Sequence, residues 1–295
     1  MRKLLLASLL ALASGTAAAQ LTVSGKIAEY IDNTKVGNTS KTTMYHEPTS
    51  NLAFTAVEKI GGITASAVLE TSLFGNNISF GDPATRLGDR QKTVGLAGAM
   101  GSVDFGRNVH SHFLAITIND AFSTLYGSVA GELHGAFYRG LRLSDAVYVN
   151  VTPMKNFSFQ YETTQGQAVE TKVMGAAATL GPINARLARW DRGSEQSTVL
   201  GMNARPAKNT TVSYIYSKDE GAKNDTAHSV GVVQKMGVIS LKGTYGKTDS
   251  DTKAYALGAD YHLSKRTEIG IAYNNFDRAH TADSRTLGVG VVHRF

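Results

Sequence analysis

From Gln20 to Phe295 the chain is written in segments of about ten residues in which every second side chain is apolar. Leu21, Val23, Ile27 and Ile31 alternate with Thr22, Ser24, Lys26 and Tyr30, and the same rhythm returns at Phe157/Phe159/Tyr161, Ile239/Leu241/Tyr245 and Leu287/Val289/Val291. Alternation with period two marks a β-strand with one apolar face. Sixteen such segments can be drawn, at about 21–32, 50–60, 63–74, 91–100, 103–109, 141–151, 155–164, 169–180, 182–191, 196–206, 209–218, 226–236, 238–248, 252–263, 266–276 and 285–295. The number is even, as single-chain bacterial membrane barrels require.

The connections narrow the fold further, because they alternate between short and long. Short ones are Gly61-Gly62, Gly101-Ser102, Pro153-Met154, Gly181-Pro182, Pro206-Ala207-Lys208, Met236-Gly237 and Ser264-Lys265. Longer polar stretches stand between them at about 33–49, 75–90, 110–140, 165–168, 192–195, 218–225, 249–251 and 277–284. A transmembrane barrel has short periplasmic turns and longer outer loops, whereas a soluble sandwich has no reason to keep that order. In hydrocarbon every backbone N–H and C=O must be paired inside the protein, and a closed barrel achieves this by leaving no sheet edge. The inward parity is polar or small, as at Ser158, Gln160 and Glu162 or Ser240, Lys242 and Thr244. The expected fold is therefore all-β, a closed 16-stranded antiparallel transmembrane barrel wide enough to hold water.

Residues 1–19 read as a secretory signal: Arg2 and Lys3, an apolar run from Leu4 to Ala13, and Ala17-Ala18-Ala19 before Gln20. Export and residence in the outer membrane follow as expectations, with the barrel spanning 20–295. No run approaches the roughly 18 apolar residues of a spanning helix. The chain has no Cys, which removes thiolate metal or redox chemistry, and its net charge of +6, about +4 without Arg2 and Lys3, is too scattered for nucleic acid. His110-x-His112 and the other histidines lack metal-ligand spacing, so neither a cofactor nor a metal is expected. His228, His262 and Asp260 are the candidates for a Ser/His/acid set at the rim, without a motif to support one.

Several stretches resemble one family, the Gram-negative general diffusion porins, especially the β-proteobacterial type. They are Val23-Ser24-Gly25-Lys26, the segment 90–98 with Val103-Asp104-Phe105-Gly106-Arg107-Asn108, the segment 145–153 followed by Phe157-Ser158-Phe159-Gln160-Tyr161, Leu263-Ser264-Lys265-Arg266-Thr267, and Gly290-Val291-Val292-His293-Arg294-Phe295. The likeness runs over the whole mature chain.

The resemblance implies a passive channel for small hydrophilic solutes and ions, with the third loop, about Val109 to Phe137, folded inward as a constriction. Loops this long inside a compact fold carry function. It implies loop acids Asp120 and Glu132 facing a basic ladder that includes Lys26 and Arg107, with Glu70 bracing the arginines. Arg142 and Arg186 join by inward parity alone. Strict alternation from Val103 and Phe105 would turn Arg107 toward lipid, so a break or bulge near Gly106 is required. Asn51 and Val149 stand where many relatives have Arg. Phe295 is expected to close the last strand toward lipid and to serve as the signal read by the barrel-assembly machinery. A homotrimer, contacts with outer-membrane lipid and lipopolysaccharide, and periplasmic chaperones during biogenesis complete the partners the resemblance implies. Four candidate bases at the waist (Lys26, Arg107, Arg142, Arg186) against three acids (Glu70, Asp120, Glu132) point to weak anion preference. The alternatives are a pore specific for a sugar or organic anion and, less favoured, a barrel hydrolase or adhesin.

Overall fold

The computed structural model describes residues 19–73, 87–135, 140–221 and 225–295. One antiparallel sheet runs through the chain in sequence order and closes on itself when β17 (Ser284–Arg294) pairs with β1 (Gln20–Val36). Seventeen strands make sixteen positions in the wall. β1 pairs through Glu29–Val36 with β2 (Thr39–His46) and through Gln20–Lys26 with β3 (Asn51–Ile60), so β2 and β3 share one edge of β1. The other strands follow as β4 (Ile63–Ser72), β5 (Gln91–Gly98), β6 (Gly101–Val109), β7 (Arg142–Met154), β8 (Phe157–Thr164), β9 (Thr171–Leu180), β10 (Ile183–Arg192), β11 (Glu195–Ala207), β12 (Thr210–Glu220), β13 (Asp225–Met236), β14 (Ile239–Thr248), β15 (Lys253–His262) and β16 (Thr267–Asp277).

All sixteen segments read from alternation are strands, and two details differ. The stretch 33–49, expected as an open loop, is mostly a hairpin: β1 runs on to Val36, turns at Gly37-Asn38 and returns as β2. Its threonines favour a pleated backbone, and cross-strand contacts from Asn33 to Thr42 and Ser40 and from Thr43 to Asp32 stitch it together. The ladder breaks at Glu47–Ser50, where Pro48 has no N–H to donate. Pro153 and Pro206, expected in turns, lie instead inside β7 and β11 at register shifts near their ends, where a missing donor is tolerated. The second loop at 75–90, apart from its last residues, lies outside the described residues.

Large apolar side chains such as Leu21, Val23, Phe105, Leu187, Leu257 and Val289 stand exposed around the outside. The hydrophobic core lies within the lumen instead. After β6 the chain turns inward as α1 (Ser111–Thr117), crosses the lumen and folds a short second turn, α2 (Ala130–Leu133). Phe113, Ala115 and Ile116 pack with Ala188, Val199 and Ile215 of the wall, while Phe122, Val129 and Leu133 pack with Ala254, Ala256, Ala272 and Phe276. Burying such a side chain contributes roughly 1.5–3 kcal/mol each. The wall opposite is built from small residues so that the loop can approach.

Gly288 shows the consequence, since a Cβ there would lie 1.9 Å from the Tyr126 hydroxyl oxygen. The Tyr126 ring stacks on Tyr30 of β1 at a centroid distance of 4.0 Å. The loop thus reaches from β9–β11, where α1 rests, to the first and last strands.

Candidate pore constriction

The inward loop is anchored by polar side chains as well as by its apolar core. The Glu162 carboxylate of β8 accepts the Ser111 N–H through both oxygens, at 2.9 and 3.0 Å. His110 caps α1 by accepting from the Phe113 N–H, and its other ring nitrogen meets the Gly140 carbonyl oxygen at 2.8 Å. His112 Nε2 meets Ser197 Oγ at 2.8 Å, and Ser197 in turn donates to Asp219. His134 is held between Ser217 and Ser229, both at 2.8 Å. In the His112–Ser197–Asp219 chain the serine stands in the middle, whereas a catalytic triad needs the imidazole between nucleophile and acid. These histidines position the loop.

Where the loop leaves and rejoins the wall, a basic cluster forms. Arg107 Nε donates to the Asp89 carbonyl and its Nη1 to Ser144 Oγ. Arg90 forms an ion pair with Glu70 and donates to the Pro48 carbonyl. Asn51, standing where many relatives have a ladder arginine, donates to the same Glu70 oxygen at 2.8 Å. Arg142 has Arg90, Glu70, Arg107 and Asp89 as its charged neighbours, so three of the groups named from the sequence, Glu70, Arg107 and Arg142, share one region with Arg90 and Asp89. The irregularity that Arg107 required is present. Gly106 adopts φ +124°, and the pairing of β6 with β7 shifts between Gly106 and Asn108, leaving Ser144 and Asp145 opposite Arg107. A Cβ on Gly106 would lie 2.0 Å from the Lys92 carbonyl oxygen, so only glycine fits that turn of the backbone.

Lys26 faces the loop, with its ammonium against Thr49 Oγ1 and Glu47 as its acidic neighbour. Glu47 is buried, which raises its carboxyl above the usual carboxylate range, opposed in part by Lys26. Arg186 stands apart, lining the lumen beside Asn184, Ser158 and Asn156 near the short turns.

The two loop acids do not face the bases as expected. Asp120 is 6% exposed and turned into its own loop, where Oδ2 accepts from the Thr124 N–H at 2.7 Å and from Ser128 Oγ at 2.6 Å. Burial raises its pKa. Glu132 is held by Arg278, on the β16–β17 connection, at 2.6 and 3.0 Å. Both carboxylates are drawn away by partners that sequence spacing does not reveal.

A second charged tract lies outside the family motifs. On β14–β17, Lys242 pairs with Asp260, Arg294 donates to Glu268 at 2.9 Å, and His262 lies between Glu268 and Ser240. Inward parity is the signal that marks each of these, since they alternate with outward Leu241, Tyr261, Ile269 and Val291. Phe295 completes the barrel: its N–H and C=O pair with Gly25 of β1 at 3.0 Å each, and its ring covers the bare Gly25.

A sequence model of Gram-negative porins matches residues 6–281. The chain is a Gram-negative porin. The porin is therefore an outer-membrane β-barrel channel. Its fold is that of an anion-selective porin from Comamonas acidovorans, with a TM-score of 0.81 at 19% identity over 94% of this chain and 100% of that one. OmpT of Vibrio cholerae superposes with a TM-score of 0.73 at 10% identity, covering 95% and 99% of the two chains. A mutant of Rh. blastica porin reaches 0.67 at 13% identity over 94% and 100%. No curated protein matches the porin at a significant level.

Proposed function

We propose that this porin is a passive, water-filled, weakly anion-preferring channel for small hydrophilic solutes, assembled as a homotrimer and catalysing no reaction. The observation that carries the reading is where the charges lie. The loop acids Asp120 and Glu132 are buried or paired, while Arg90, Arg107 and Arg142 gather on the wall where the loop enters. With the loop packed against β9–β17 and β1, the remaining passage runs along β3–β7, past those guanidiniums.

Around it Lys26, Arg90, Arg107 and Arg142 stand against Glu47, Glu70 and Asp89. The formal excess is one positive charge. Charges at a narrow waist select by sign because screening extends only about 8 Å at physiological salt. The anion selectivity of the Comamonas porin, named for that property, supports the same sign.

The trimer, removal of residues 1–19 during export, and contacts with lipopolysaccharide, chaperones and the assembly machinery belong to the same proposal. The deciding experiment is single-channel recording in a planar bilayer under a salt gradient. A reversal potential of anionic sign supports the reading, whereas strong cation selectivity would transfer control to the acids. Native electrophoresis in mild detergent reads the trimer, and a monomer alone would remove that part.

A further inference from the structure

We propose that Asp260, His262 and Glu268 form a lumenal binding site for a divalent transition-metal ion, at the end of the barrel that carries the short turns. Among the described residues these three bring one ligand atom each to within 4.8 Å of one another. They sit on adjacent strands beside the β15–β16 turn, with Lys242, Ser240 and Arg294 around them, and open on a cavity of the lumen.

The imidazole sets the chemistry. His262 Nε2 lies 2.9 Å from Ser240 Oγ and Nδ1 lies 3.2 Å from Glu268 Oε2. A charge-assisted N–H···O bond is shorter, at about 2.7–2.9 Å. A separation near 3.2–3.4 Å is what two ligands about 2.0–2.1 Å from one tetrahedral ion would show. With Nε2–H donated to Ser240, the Nδ1 lone pair faces the carboxylate, and the hydroxyl orients the ring as outer-shell partners of metal-bound histidines do.

Lys242 and Arg294 hold the carboxylates in their stead. Each partner occupies one oxygen, Asp260 Oδ2 and Glu268 Oε1, which leaves Asp260 Oδ1 and Glu268 Oε2 for an ion. A tetrahedral ion about 2.0–2.1 Å from each ligand holds them about 3.2–3.4 Å apart, so ligand atoms as much as 4.8 Å apart must close by up to about 1.5 Å. One imidazole with two carboxylates suits Zn²⁺ or Ni²⁺ over Ca²⁺ or Mg²⁺, which prefer oxygen alone.

The order Ser240–His262–Glu268 is also that of a nucleophilic triad. Ser240, however, is 4% exposed, whereas the His262 side chain is 36% exposed to the lumen. The geometry therefore favours an ion at His262 over an ester at Ser240. The inference is independent of the sign of the pore's own selectivity.

The test uses the folded porin in a planar bilayer, with ZnCl₂ or CaCl₂ added to the short-turn side and reversal potential recorded under a constant KCl gradient. Zn²⁺ at micromolar concentration is expected to shift the potential in the anionic direction from wherever it stands, reversibly with a chelator, and Ca²⁺ at equal concentration to leave it in place. His262→Ala and Glu268→Gln, each checked for folding by heat-modifiable mobility, should weaken the response about 10–100-fold, the usual effect of losing metal-site groups. Lys242→Met should strengthen it by freeing Asp260. A Zn²⁺ response equal in the wild type and His262→Ala, an equal response to Ca²⁺, or no response to Zn²⁺ would overturn the site. Covalent labelling of Ser240 by a fluorophosphonate would assign the cluster to acyl chemistry and overturn it as well.

Discussion

Arg278 clasps the Glu132 carboxylate, its Nη2 2.6 Å and its Nε 3.0 Å from the same oxygen. Arg278 belongs to the connection after β16, and Glu132 to the inward loop, so the pair ties the constriction to the outer rim. The Glu132 side chain is 42% exposed, and an exposed pair of this kind contributes only about 0–1 kcal/mol. Replacing Arg278 by Ala should therefore leave barrel assembly intact while loosening the loop. Single-channel traces are expected to show more frequent current fluctuations. Unchanged noise with a folded barrel would remove the pair's role in holding the loop.

Neutralising Lys26 and Arg107 together should shift the reversal potential toward cations. Both stand among the charges bordering β3–β7, and lumen substitutions in such barrels tune selectivity. The barrel should still assemble. A double variant that keeps its reversal potential places neither residue at the waist.

Gly106 tests how Arg107 is aimed. With φ +124° and the Lys92 carbonyl oxygen 2.0 Å from where a side-chain methyl would stand, alanine forces β6 to flatten. The expected cost is of order 1–3 kcal/mol, the range for a residue held in such a backbone region. Urea unfolding should register it, and the selectivity change should follow that of the Arg107 variant. A G106A barrel with wild-type stability and selectivity would show that the backbone there is not constrained.

Asp120→Asn separates a lumen charge from a structural one. The amide oxygen can accept from the Thr124 N–H and Ser128 Oγ as the carboxylate does, while the buried charge is gone. Selectivity is expected to stay put and stability at neutral pH to hold or rise. The sign for the wild type follows from the raised pKa: the folded state binds the proton more tightly than the unfolded one, so stability falls as pH rises between the ordinary carboxylate value and the raised one. That slope should flatten in the variant. A marked cation-to-anion shift on D120N would return Asp120 to the pore.

Removing Phe295 should impair assembly more than conductance. Its backbone makes the last two hydrogen bonds of the β17–β1 seam, and its ring lies on Gly25. Truncated chains are expected to accumulate unfolded, read by loss of heat-modifiable mobility, while any that fold conduct normally. Wild-type yields of folded barrel would deny the terminal residue a part in closure.

Alternation in the sequence by itself determined the strand number, the closed antiparallel order and the inward or outward face of most side chains. Each follows from a local rule, since a lipid-facing strand must be apolar on alternate residues and every backbone group must be paired. The same parity marks Lys242, Glu268 and Arg294 as lumenal. What those side chains touch was settled only by tertiary structure. Glu132 meets Arg278 across 146 residues of chain, and Asn119 meets Asn203 across 84. No periodicity encodes such pairings, because they depend on where the inward loop comes to rest. Arg90 reaches Glu70 across 20 residues of chain, whereas the Asp120 contacts and the 33–49 hairpin are local pairings that alternation alone does not mark. The barrel is specified by repeating local physics, and the constriction by single contacts between distant residues.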